Sequence, residues 1–281
     1  MKTILVTGAT NGIGLEASVV LAKQGHRVVL VGRDRRKTDD AVATVKQRSG
    51  SQAVDGLACD FSSQKQIRQL AADYRAKYDR LDVLVNNAGL VTDKRTTTED
   101  GLETTFAVNH LGYFLLTNLL LDLVIKSAPA RIVVVSSTGH YRGTLDLDDP
   151  GYERGGWSVM NAYRRSKLAN VLFTRHLARQ LKDKGVTVNA LHPGGVATGI
   201  WSKAPWFARP VLAVVKALFL ITPEEGGSYI VRLATGEDVA STTGQYFDMA
   251  KPQEPSTLAQ DDALGERLWA LSAKLTGVSG Q

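Results

Sequence analysis

The chain has 281 residues, 43% of them hydrophobic and 22% charged, the profile of an ordinary globular protein with a core to bury. Its formal net charge of +6 is scattered rather than gathered into a basic stripe, which argues against a nucleic-acid partner. The one cysteine, Cys59, excludes an internal disulfide, and no ligand-spaced histidines predict a metal site.

The opening "MKTILVTGA" runs straight into a glycine loop, leaving no room for a signal peptide or an amino-terminal anchor, so a cytoplasmic location is expected. The first predicted strand, "TILVT" (3–7), leads into "TGATNGIG" and a helix over 12–24. The spacing is G-x-x-x-G-x-G. Gly8 suits a tight turn, Gly12 lets a pyrophosphate approach the backbone, and Gly14 lets helix pack on strand. Gly8, Thr10, Asn11, Gly12, Ile13 and Gly14 are therefore candidate cofactor contacts, with the helix N-terminus turned to the phosphates.

The second strand, "RVVLV" (27–31), ends in "GRDRRK". A dinucleotide site that takes NAD(H) places an acidic residue here for the ribose 2′-hydroxyl. Gly32 and Arg33 occupy the place instead, and an arginine fork suits a 2′-phosphate, so NADP(H) is the expected cofactor. Solvated charges opening a helix over 35–48 are the plainer explanation of the same residues.

Further strands are predicted at 54–60, 81–86, 131–136, 186–191 and 244–248, and further helices at 63–78, 99–126, 158–183, 223–234 and 257–275. Mostly apolar strands alternating with helical crossovers predict one α/β domain over 1–281. Its expected form is a doubly wound, Rossmann-like parallel sheet of seven strands in three layers, α/β/α. The apolar run "PWFARPVLAVVKALFLI" (205–221) is interrupted by charge and falls short of a membrane span, so no transmembrane segment is expected. It lies within 199–222, a candidate substrate lid. That segment equally suits a face for a subunit or for peripheral membrane contact.

The glycine loop, "CDF" (59–61), "NNAG" (86–89), "VNHLGYFLLTNLL" (108–120), "VVVSS" (133–137), Tyr163-x-x-x-Lys167 and "HPGGVAT" (192–198) occur in this order. Together they resemble the short-chain dehydrogenase/reductase superfamily over essentially the whole chain. "SKLANVLFTRHLA" looks closest to the retinol-dehydrogenase-like branch, which is similar to the WW-domain oxidoreductase and protochlorophyllide reductases. The resemblance implies that Asp60 bonds the adenine, with Phe61 beside the ring, and that Asn87, Ala88 and Gly89 wall the adenine ribose. It implies that Pro193, Gly194, Val196 and Thr198 position the nicotinamide. Asn109, Ser137, Tyr163 and Lys167 become the catalytic set, and a homodimer or homotetramer is expected. The 26-residue gap from Ser137 to Tyr163 exceeds that of many superfamily members but matches an insertion typical of this branch. Gly195 departs from the bulkier apolar residue common there.

Tyr163 and Lys167 lie one helical turn apart, on one face. A tyrosine titrates near 10, and a neighbouring ammonium, with an oxidised nicotinamide in one half-reaction, is expected to make it acidic enough for proton exchange. Ser137 would hydrogen-bond a substrate oxygen as charge develops on it. The expected activity is NADP(H)-dependent interconversion of a small apolar ketone or aldehyde and its alcohol. The alternative is a dinucleotide-binding protein without catalysis, serving as a redox sensor or docking partner. Tyr141, Tyr152 and Trp157 of the insertion are expected to line the substrate end.

Overall fold

The computed structural model describes residues 1–195 and 221–278. Eight strands, β1 (Thr3–Thr7), β2 (Arg27–Gly32), β3 (Val54–Ala58), β4 (Val83–Asn86), β5 (Ala130–Val135), β6 (Val186–His192), β7 (Tyr246–Asp248) and β8 (Lys251–Gln253), form one sheet in the order 3-2-1-4-5-6-7-8. The first seven are parallel. β8 is an eighth, unpredicted strand that pairs antiparallel with β7, Asp248 facing Lys251. Its three exposed residues, Lys-Pro-Gln, carry no apolar signal, and a proline is tolerated there because the strand is an edge.

The strands are apolar throughout because alternate residues serve two cores. Ile4 and Val6 belong with Leu30, Val85 and Val133 on one face, and Leu5 belongs with Val29, Leu84 and Ile132 on the other. The first face is covered by α1 (Gly12–Lys23), α2 (Arg35–Ser49) and α7 (Pro223–Thr235). The second is covered by α3 (Gln64–Lys77), α5 (Gly112–Lys126), α6 (Val159–Gln180) and α8 (Asp262–Thr276), with the short α4 (Thr104–Phe106) leading into α5.

Local chemistry sets the helix ends. Asp34, Ser63, Ser158, Thr222 and Asp261 each accept a hydrogen bond from a backbone amide in the first turn of α2, α3, α6, α7 and α8. Gly50 and Gly277 close α2 and α8 in the left-handed conformation. Two predicted helices are corrected. The stretch 99–126 becomes helical only from Thr104 and is interrupted by a π turn over Ala107–Leu111. The stretch 257–275 divides into a 3-10 turn, Thr257–Gln260, and α8, because Asp261 starts a new helix with its own cap.

Thr104–Lys126 is a helical run long and apolar enough to cross a membrane by length and composition, yet it is mostly buried, as a core helix is. The candidate lid and its apolar helix lie outside the described residues, apart from Ile221 and Thr222.

Candidate active site

The strand order reverses between β1 and β4, so a crevice opens beyond the carboxyl ends of those strands. Thr7 organises it. Its hydroxyl donates to the Val85 carbonyl (3.2 Å) and accepts the backbone amides of Asn87 (2.8 Å) and Ala88 (3.0 Å). The Asn87 side chain donates to the carbonyls of Thr7 (2.8 Å) and Gly8 (3.0 Å), so it props the glycine loop from beneath. Gly8 has φ +66°, and a Cβ there would lie 2.7 Å from Ala88 Cα. A Cβ on Gly14 would lie 2.5 Å from Asn87 Nδ2. Only glycine fits at either position.

Gly12, at φ +56°, faces open space, and the Asn11 side chain makes no cap bond to α1. The first-turn amides of α1 are left facing that space, which fits a pyrophosphate. Ile13 turns its side chain toward α7, where a Cβ on Gly226 would come within 2.7 Å of Ile13 Cγ2.

At the end of β2, a Cβ on Gly32 would lie 2.2 Å from Thr10 Cγ2 and 2.4 Å from Thr38 Oγ1. No acidic side chain fits there. The first side chain past this point is Arg33, exposed and without an ion pair among the described residues. Asp34 is occupied as the cap of α2, accepting from the Lys37 amide at 2.8 Å. Asp60, after β3, accepts from the amide and hydroxyl of Ser62 through Oδ1. The Phe61 ring is buried in the core under α5, where a Cβ on Gly112 would come within 2.7 Å of it, so the ring also seats that helix. Cys59 beside it is buried, and burial pushes its thiol up to about 12, consistent with core rather than nucleophile.

The four expected catalytic residues converge beyond β4 and β5. Asn109 is fully buried in the π turn; it accepts from the Leu90 amide (2.9 Å) and donates to the Leu90 carbonyl (3.0 Å) and to Ser166 Oγ (3.1 Å). Gly89 packs against it. Ser166, not among the residues expected in the site, donates in turn to the Tyr163 carbonyl at 2.7 Å. Ser136 donates to the Lys167 carbonyl (2.8 Å), and Lys167 Nζ donates back to the Val135 carbonyl (3.1 Å), so β5 and α6 hold each other in register. Ser137 caps a 3-10 turn (Thr138–Arg142), accepting from the Gly139 amide at 3.1 Å. A Cβ on Gly139 would lie 3.4 Å from both Ser137 Oγ and Tyr163 Cε1, so this glycine lets hydroxyl and phenol ring share one space.

Burial works against the expected acidity of Tyr163 in the free protein. Burial raises Tyr163 above its ordinary value, and a hydrogen bond with Ser137 only partly opposes this. Lys167 does not reverse the shift: its Nζ is 5.6 Å from the ring centroid and tied to Val135, and burial lowers its own value to about 8. In the free protein these shifts favour the neutral phenol of Tyr163.

The rest of the predicted site divides. Pro193 and Gly194 are buried after β6, Gly194 at φ +95° against Ile221, while Val196 and Thr198 lie outside the described residues, as do Trp201, Trp206 and Phe207. Tyr152 does not line the substrate end. It is buried beneath Arg165, whose guanidinium carbon stands 3.5 Å from its ring centroid, and Arg165 also donates to the carbonyls of Asp149 (2.7 Å) and Pro150 (3.1 Å). The arginine two positions after Tyr163 is thus the anchor of the insertion. Trp157 donates to the buried Glu103 at 3.3 Å, and Tyr141 stays half exposed, its hydroxyl donating to the Glu254 carbonyl. No group of metal-ligating residues occurs among the described residues.

Residues 2–206 match the short chain dehydrogenase family. The chain is 41% identical to human retinol dehydrogenase 13, covering 99% of this chain and 85% of that one. It is 40% identical to mouse retinol dehydrogenase 14, covering 99% and 86%. Among solved structures it is similar to an uncharacterized protein from Mycobacterium paratuberculosis (TM-score 0.80, 29% identity, 99% of this chain and 94% of that). It is also similar to a single-substitution variant of the actinorhodin polyketide ketoreductase with NADPH (TM-score 0.71, 28% identity, 88% and 95%).

Proposed function

The chain belongs to the short-chain dehydrogenase/reductase family, in its retinol-dehydrogenase-like branch, and is an oxidoreductase; from that premise we propose that it interconverts an apolar aldehyde or ketone with its alcohol using NADP(H). The observation that carries the proposal is the convergence of Ser137, Tyr163 and the buried Lys167 at the mouth of the crevice that begins at the glycine cradle. When bound, the nicotinamide supplies or accepts the hydride.

The protein's own groups do the rest. Ser137 donates to the carbonyl oxygen, orients it and stabilises the charge that develops there. Tyr163, a neutral phenol, gives its proton to that oxygen as the carbon is reduced, and the phenolate left behind gains from the nearby Lys167 ammonium. Asn109 fixes the turn that leads into α5 and holds Ser166 under the Tyr163 carbonyl. Arg33 grips the 2′-phosphate; the closed space over Gly32, the exposure of Arg33 and the NADPH held by a similar ketoreductase support this. The names of the similar retinol dehydrogenases favour long apolar substrates of the retinoid kind. The test is loss of reduced-cofactor absorbance with retinal, aliphatic aldehydes and aromatic ketones, NADPH against NADH. Turnover with NADPH and at least one apolar carbonyl is expected. Tight NADPH binding with no oxidation by any of them would contradict it.

A further inference from the structure

Behind Lys167 lies a buried polar chain that the proposed reaction does not by itself call for. Asn170 is fully buried on the same face of α6. Its Nδ2 donates to the Asn109 carbonyl (2.9 Å) and to the Val135 carbonyl (3.3 Å). Carbonyls only accept, so this end of the amide is the NH₂ and the other is the oxygen. That oxygen stands 3.3 Å from His110 Nδ1, which must therefore carry the proton. His110 is fully buried, and burial lowers it to about 4, so the ring is neutral and its Nε2 is an acceptor. Ser272 Oγ, on α8, lies 3.0 Å from Nε2 and donates to it. The chain then has one direction throughout: Ser272 to His110, His110 to Asn170, Asn170 to the carbonyls of Asn109 and Val135.

The Val135 carbonyl is also the acceptor of Lys167 Nζ, at 3.1 Å. Its two lone pairs are taken by one amide and one ammonium. We propose that Asn170 is a positioning residue for Lys167, fixing the carbonyl on which the ammonium docks, and that its own orientation is set by His110 and Ser272. Asn170 also fastens the backbone of Asn109, so one side chain ties two members of the catalytic set together. Through Ser272 the carboxyl-terminal helix is joined to the centre of the site. This assignment rests on the reading of Lys167 as part of a carbonyl-reducing site.

The titratable groups around Lys167 are Tyr163 on its own helix and His192 at the end of β6, with His110 behind Asn170. Removing the Asn170 amide frees two carbonyls near the ammonium and opens a space for water. Both favour the charged form, so the titration of Lys167 moves upward. The experiment follows acetylation of Lys167 by acetic anhydride across pH, read by mass spectrometry, in the full chain, in Asn170→Ala and in Ser272→Ala. Alongside it run the pH profile of kcat, NADPH affinity and thermal melting.

Asn170→Ala is expected to raise the Lys167 titration by at least about half a pH unit and lower kcat about tenfold or more, with KM within about threefold. Ser272→Ala is expected to move both in the same direction by a smaller amount. A change in melting temperature with both titration and kcat profile unmoved would show a purely structural role and overturn the proposal. If Asn170→Ala does not fold, Ser272→Ala decides alone, and an unchanged Lys167 titration there overturns it. If the unaltered chain reduces no carbonyl, the catalytic reading fails by itself, while the Lys167 titration still decides for or against Asn170.

Discussion

Lys167 carries a conflict that two measurements can expose. Its ammonium is buried, and its value falls from the ordinary 10.5 to about 8. Below about 8 the folded chain holds a desolvated charge that the unfolded chain would hold in water, so the fold is penalised. As pH rises from about 8 toward 10.5 the folded state gives up the proton first and the penalty fades. Lys167→Met should therefore stabilise the protein at neutral pH by about 1–3 kcal/mol while abolishing turnover. Urea unfolding at several pH values checks this: the gap between variant and parent should close above pH 8. In the parent, kcat/KM for reduction should decline above about 8 as Lys167 loses its proton, while Tyr163 stays protonated. At the other end of the crevice, Arg33→Ala should weaken NADPH binding by about tenfold or more and leave NADH within about twofold. Equal losses for both, measured by fluorescence titration, would contradict the phosphate assignment. These residues stand out in the sequence because their proposed chemistry is tied to spacing: glycines at a strand end, an arginine where an acid is expected, a phenol and an ammonium one turn apart. Asn170, Ser166 and Thr7 do not, because a buried asparagine, serine or threonine within an apolar run looks like packing until its partners are known.

α1 and α7 pack closely where they cross. A Cβ on Gly227 would lie 2.9 Å from the Ala17 backbone nitrogen and 3.0 Å from Glu16 Cβ. Backbone cannot yield as a flexible side chain can, so Gly227→Ala should cost about 1–3 kcal/mol in chemical denaturation. It should also weaken NADPH binding, since α1 carries the proposed phosphate cradle. Asn87→Ala should act on the cradle alone, releasing the carbonyls of Thr7 and Gly8 and lowering NADPH affinity with little change in melting. The seven parallel strands and most helices could be read from apolar runs alternating with helical stretches. β8 could not, because an exposed Lys-Pro-Gln has no period to detect. Nor could the π turn at Ala107–Leu111, since one extra residue within an apolar helix leaves its composition unchanged. That turn matters most to the site, because it is what presents Asn109 to Leu90 and Ser166.

At the scale of the whole fold, α8 packs on α5 and α6. Trp269 stacks on Phe173 at 5.9 Å and 9° and on His176 at 4.9 Å, and meets Phe114 edge-on at 4.8 Å. These rings bind α8 to α5 and α6, the helices that flank and carry the active-site side chains. Trp269→Ala should cost about 3–5 kcal/mol of stability. Activity per folded molecule should fall as well, because Ser272 shares that helix. At this scale the doubly wound arrangement followed from strands and helices alternating along the chain, and its crevice from the reversal of strand order. In the proposed reaction these features bring the Tyr163 phenol beside the Ser137 hydroxyl. The most direct test is NADPH oxidation by an accepted apolar carbonyl, measured for the parent and for Tyr163→Phe, with NADPH affinity determined for both. Turnover is expected to fall by at least about a thousandfold with affinity within about threefold. A Tyr163→Phe protein that keeps a substantial share of the parent's turnover would contradict this expectation.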